Sequence, residues 1–163
     1  MQIVTASQRT DRPAGFPDVV DPVNATLKIP LYYVSDDKKP PQRWNHPAFV
    51  ARVFAETALA ALEASLEPSG YGIAHVGIYF ARNARHADGT DIIPHRPSNH
   101  GLGLAMDFKG LVDIHGHYTP YQKMGKATTA ALIIEPVTLA IEKAGRKPEI
   151  KDESGWLHIG IWP

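Results

Sequence analysis

The chain contains no cysteine, so disulfides, thiolate catalysis and cysteine-ligated metal are all excluded. It also lacks an excess of charge of either sign. Its 17 basic and 17 acidic residues cancel, which argues against a broad electrostatic surface for nucleic acid. No apolar run approaches the roughly 18 residues that a membrane span needs. The opening Met1–Thr10 has no basic segment followed by a long apolar stretch, so an ordinary signal peptide is not expected. What remains is 163 residues with 44% hydrophobic and 21% charged side chains, the composition of an ordinary globular domain. At this length a folded chain buries roughly 70% of the surface its unfolded form exposes, enough for one real core.

The chain has 14 prolines, and residues 1–45 carry a marked share of them alongside other turn formers. Only Ile3–Ala6 and Thr26–Val34 look strand-like there, so 1–45 reads as an arm or hairpin and 46–163 as the main domain. Asn45 and Pro47 read as the cap and first turn of a helix. Phe49, Val50, Val53, Phe54, Ala58, Ala61 and Leu62 recur at helical spacing until Pro68 and Gly70 end the run. Ile73–Phe80 reads as a strand. The polar stretch Arg82–Asn99 that follows is longer than loops usually are without a functional reason. Leu104–Phe108 is expected as a strand, Tyr121–Ala144 as a helical region interrupted at Pro136, and Trp156–Trp162 as a terminal strand. Helices and strands mix without a repeated βαβ period, so the expected class is α+β.

The informative segment is Ser98-Asn-His-Gly-Leu-Gly-Leu-Ala-Met-Asp107. Where it is extended, Gly101, Gly103, Ala105 and Asp107 share one face, so residues with little side chain lead to a carboxylate, as an open floor before a metal and its substrate. Imidazole nitrogen and carboxylate oxygen both suit zinc. Spacing alone leaves the alternative of a turn histidine and a hydrogen-bonded aspartate entering a buried strand. In Trp156-Leu-His-Ile-Gly-Ile-Trp162, Leu157, Ile159 and Ile161 form a core-like face. Trp156, His158, Gly160 and Trp162 form the other, which suits a cleft. His115-Gly-His117 offers two imidazoles at strand spacing, although its context reads more easily as an exposed turn. His95 is placed to line the cleft, and Arg85, His86 and Arg96 to form a polar loop surface.

Ser98-x-His100-x-x-Gly103-x-Ala105-x-Asp107 resembles the first zinc motif of the LAS-type peptidases. That family includes D-alanyl-D-alanine carboxypeptidases, phage L-alanyl-D-glutamate endopeptidases and the hedgehog-type zinc fold. Trp156-x-His158 resembles its second motif. Tyr79-Phe-Ala-Arg82-Asn83 is similar to the strand end that carries an arginine in the family, with Ala81 where the extensin-like relatives have cysteine. The likeness spans residues 73–162. It implies an antiparallel sheet with flanking helices and one zinc ion held by His100, Asp107 and His158. It implies, further, that Arg82, with Ser98 and Trp156, contacts substrate.

The likeness breaks at one place. The family commonly has a glutamate three residues before the last histidine, where this chain has Gly155. Glu153, and after it Asp152, are the acids expected to take the proton from water instead, with solvated turn acids as the plain alternative. The resemblance implies a zinc metallopeptidase cutting peptidoglycan stem peptides, as a D,D-carboxypeptidase or an endopeptidase. A phage-borne or virion-associated enzyme fits the missing signal peptide, with 1–45 as the contact for a virion partner. The alternative is a zinc-containing binding or assembly module of the same fold without hydrolysis.

Overall fold

A computed structural model describes residues 2–4, 19–21, 27–36, 38–45, 49–78, 84–86, 88–94, 96 and 98–163. Strands β1 (Gln2–Val4) and β2 (Val19–Asp21) pair antiparallel as a separate two-stranded ladder. The main sheet has seven strands. β3 (Leu31–Tyr33) and β4 (Gln42–Arg43) form a hairpin at one edge. β5 (Gly72–Gly77), β6 (Ala105–Val112), β9 (Leu157–Ile161) and β8 (Pro148–Asp152) follow in that spatial order, and β7 (Tyr118–Pro120) pairs with β6. Among the described residues, two helices complete the α+β architecture. α1 comprises Arg52–Phe54, a π-helical turn Ala55–Leu59, and Ala60–Leu66. α2 comprises Lys126–Thr129, a second π-helical turn Ala130–Ile134, and Glu135–Lys143. Among the described residues no helix is long and apolar enough to cross a membrane.

The sheet departs from the expected antiparallel arrangement at one pair. β3 runs parallel to β5, with Leu31 opposite Ile73 and Tyr33 opposite His75. Parallel neighbours need a crossover connection, and α1 is that crossover. The stretch read as an arm or hairpin therefore supplies β3 and β4 to the sheet, and Ile29, Leu31 and Val34 are buried.

Alternation along the strands sorts the sheet into two faces. Met106 and Phe108 of β6 and Leu157, Ile159 and Ile161 of β9 join Phe54, Leu59, Leu62, Ile133, Val137 and Ile141 of the helices in one core. Asp107, Lys109, His158 and Gly160 lie on the opposite face and are buried as well, so the helices hold one side of the sheet while the polar side chains gather on the other.

α1 starts at Arg52, later than the Asn45–Pro47 cap predicts; Ala51 precedes it without a side-chain cap, and Pro47 lies outside the described residues. α2 runs through Pro136, which the sequence reads as an interruption. Proline lacks the N–H that the Leu132 carbonyl would accept four residues earlier. The π-helical turn absorbs the ring there, and the Ser65 hydroxyl of α1 donates to Leu132 O at 2.8 Å.

His75 on β5 is only 2% exposed, and neither ring nitrogen has a hydrogen-bond partner among the described residues. It packs against Tyr33 and Trp44, with ring centroids 6.0 and 5.5 Å away. Burial lowers its pKa to about 4, against a weaker opposing field from Asp107. Because the folded value lies below the unfolded one, this group's contribution is complete above pH ~6.5. It is lost as pH falls towards 4, since the unfolded chain takes up a proton that the folded chain refuses. Urea unfolding is expected to show His75→Leu lacking about 3 kcal/mol of the wild-type decline between pH 6.5 and 4.

Candidate metal centre

His100 sits in the turn that leads into β6. Ser98 O accepts from Leu102 N at 2.9 Å, Asn99 O from Leu104 N at 2.8 Å and His100 O from Gly103 N at 3.0 Å. The Ser98 hydroxyl accepts from Gly101 N at 3.0 Å. Gly103 closes the turn with φ +69°, and a Cβ there would lie 2.5 Å from Ala51 N and 2.9 Å from Val50 C. Its carbonyl accepts from Ala51 N at 2.8 Å. The missing side chain at Gly103 thus makes room for the backbone before α1, not for a substrate floor as the sequence pattern suggests.

Asp107 stands directly opposite His158 in the β6–β9 ladder. Its Oδ1 lies 3.1 Å from His158 Nδ1 and 3.2 Å from His100 Nε2. The two imidazoles meet edge to face, with centroids 5.2 Å apart. All three residues are buried and offer one donor atom each within 4.8 Å of the others, and the group could hold a metal ion. The spacing tests that fit. Four-coordinate bonds of about 2.0–2.2 Å give donor–donor edges of roughly 3.3–3.6 Å, a few tenths of an ångström longer than the two contacts to Asp107. The donors are two nitrogens and one carboxylate oxygen. On the far side of its ring, His100 Nδ1 lies 3.2 Å from Ile78 O, so its hydrogen has a backbone acceptor when Nε2 is the donor to a metal.

The electrostatics keep the carboxylate ionised. Burial pushes the Asp107 pKa up, but hydrogen bonds and charge from His100 and His158 outweigh it, and the value falls to about 2. Burial pulls the His158 pKa down, yet the Asp107 hydrogen bond, its charge and the fields of Glu149 and Glu153 raise it overall.

His100 and His158 line a cleft of about 650 Å³, together with Arg85, His86, Arg96, Ser98, Asn99, Glu149, Lys151, Glu153 and Trp162. Ala84, Gly89 and Ile92 also border it, and an Arg85 Nε–Asp91 Oδ1 contact of 3.0 Å ties this stretch together. The ammonium groups of Lys147 and Lys151 lie 5.3 and 5.5 Å from the Trp162 ring centroid. Of the residues read as site members, Ser98 and Glu153 reach the cleft. Asp152 does not: it alternates with Lys151 on β8, faces the other way, and lines a separate cavity with Tyr121 and Ser154. The structure thus places it away from the cleft that Glu153 lines. Trp156 does not line the cleft either. Its ring lies 5.8 Å from Lys109 Nζ, which donates to Gly155 O at 2.9 Å. Arg82 and His95 lie outside the described residues. His115 and His117 form an exposed turn in which both backbone N–H groups donate to Asp113 Oδ1.

Gly155, where the resembled motif would place a glutamate, lies beside that buried lysine. A Cβ on Gly155 would meet Lys109 Nζ at 3.5 Å and Gln122 Nε2 at 3.6 Å. Sequence reasoning also missed Glu149, which is buried on β8 with Oε2 3.6 Å from His158 Nε2. Its carboxylate also binds Asn99 Nδ2 and Lys151 Nζ. Burial opposes ionisation of Glu149, but the Lys151 hydrogen bond and charge, with His158 and Asn99, lower its pKa. The only signal in the sequence is the alternation of Glu149 with Lys151, a pattern equally expected of charges on an exposed edge strand. No family model matches the chain, and no curated protein or solved structure is significantly similar to it.

Proposed function

We propose that the chain is a zinc-dependent peptidase of the LAS type, acting on peptide bonds of peptidoglycan stem peptides. The observation that carries this reading is the convergence of His100 Nε2, Asp107 Oδ1 and His158 Nδ1, two of which, His100 and His158, line an open cleft. A donor set of two imidazoles and one carboxylate, without sulfur, suits zinc, and three protein donors leave a coordination position for chemistry. When bound, zinc supplies a Lewis acid that polarises a carbonyl and acidifies water.

The chain's own residues do the rest. Glu153 lines the same cleft and its charge is felt at His158, so its carboxylate takes the proton from the attacking water. The water oxygen bonds to the peptide carbonyl carbon, the C–N bond breaks, and the proton passes to the departing amine. Arg96 and Lys151 on the cleft wall offer positive charge to the carboxylates of such peptides. Purified sacculi incubated with the zinc-loaded chain are expected to release new amino groups. Glu153→Gln is expected to keep the metal and lose about 10²–10⁴-fold in rate. Zinc-loaded protein that leaves muropeptides uncut sinks the peptidase reading.

One observation favours a second reading. The usual acid position is Gly155, with the Lys109 ammonium beside it, and a module of this fold that binds metal without hydrolysis accounts for that exchange. It predicts metal binding with no release of amino groups from sacculi.

A further inference from the structure

We infer that Glu149 is a positioning residue for the metal centre: its carboxylate orients His158 from behind and ties that strand to the turn carrying His100. The inference rests on the metal reading. A metal held by His158 must use Nδ1, because that is the nitrogen facing Asp107 at 3.1 Å. The ring hydrogen is then on Nε2, and metal-binding histidines characteristically give this second N–H to a carboxylate or carbonyl that fixes the ring. Among the described residues the acceptor next to Nε2 is Glu149 Oε2 at 3.6 Å, an ion-pair distance that a small side-chain movement turns into a hydrogen bond.

The surrounding residues are built for that contact. Glu149 is directly opposite Gly160 in the β8–β9 ladder. A Cβ at Gly160 would stand 3.1 Å from His158 Nε2, crowding the approach of the carboxylate. Glu149 is itself steered from two sides. Asn99, the residue before His100, donates to one oxygen, and Lys151, directly opposite His158, donates to the other. One buried carboxylate therefore couples the turn, the edge strand and the second histidine. It is not a fourth ligand: its oxygens lie on the opposite side of the imidazole from Asp107 and do not converge with the three donors. His100 has the matching arrangement, with Ile78 O behind Nδ1.

The test is metal affinity, read without any substrate. Co²⁺ and Zn²⁺ are titrated into the full chain against a chromogenic chelator, for wild type and Glu149→Gln. Glutamine keeps the volume and the Asn99 bond but removes the charge that holds the His158 hydrogen. The expected result is a 10–100-fold weaker Kd and an altered Co²⁺ absorption envelope, with the metal-free melting curve still cooperative. Equal Kd values and identical Co²⁺ spectra overturn the inference and leave the metal reading standing. A wild-type chain that binds neither ion overturns both. Should Glu149→Gln fail to fold, ring ¹⁵N–¹H spectra of zinc-loaded wild type decide. A slowly exchanging His158 Nε2–H supports the inference, and one exchanging as fast as a free imidazole overturns it.

Discussion

Zinc at about a thousand times its Kd is expected to raise the Tm by roughly 8–16 °C, and Asp107→Ala to abolish that rise. An ion that binds only the folded chain stabilises it by about 4 kcal/mol at that excess, and for a chain of this size each kcal/mol moves Tm by about 2–4 °C. Asp107 is the substitution of choice because both imidazoles converge on its Oδ1. Losing it removes one donor and the group that aligns the other two. The metal-free variant is also expected to melt lower, since two buried ring nitrogens lose their partner at about 1–3 kcal/mol. The measurement is therefore the difference between melts with zinc and with chelator, taken for each protein separately. A wild-type Tm indifferent to zinc, or an equal rise in Asp107→Ala, counts against the centre.

The second large effect is expected at a residue that donates nothing to the metal but closes the turn carrying His100. Gly103→Ala should cost about 2–5 kcal/mol: about 1–2 for a left-handed backbone with a side chain, and about 1–3 for crowding a packed site. The added carbon would fall 2.5 Å from Ala51 N, and backbone cannot swing aside as a side chain can. Relief means moving the 98–103 turn off the start of α1, breaking the bond from Ala51 N to Gly103 O and displacing His100. Stability and metal affinity should therefore fall together, measured by chemical unfolding and chelator competition. Gly116→Ala is the control, because φ there is also positive but nothing lies within 4 Å; it should lose only the backbone part.

The donor residues were legible because their spacing is local or periodic. His100 and Asp107 belong to one short motif, and the alternation around His158 separates it from Leu157, Ile159 and Ile161, which are buried in the core, although Trp156 of the same alternation does not line the cleft. What escaped depends on partners distant in sequence. Glu149 is an unremarked acid until the β8–β9 register sets it opposite Gly160. Asp152 ends β8 and Glu153 follows it, and only the folded chain assigns one to the cleft and its neighbour elsewhere. The parallel β3–β5 pairing carries no local signal at all. Pro136 looked like a break because the hydroxyl that serves the freed Leu132 carbonyl comes from Ser65, on the other helix.

The opposed pair Asp107 and His158 is separated by 51 residues along the chain, whereas His100 and Asp107 are seven apart. Bringing β9 beside β6 therefore requires closing a long loop, an entropic cost paid before the contact forms. On the proposed metal reading, an ion gripping both strands would act as a clasp on that closure, able to grip only once the ladder has registered. Zinc uptake during refolding then counts completed molecules, not partly folded ones, and should trail the appearance of helical signal.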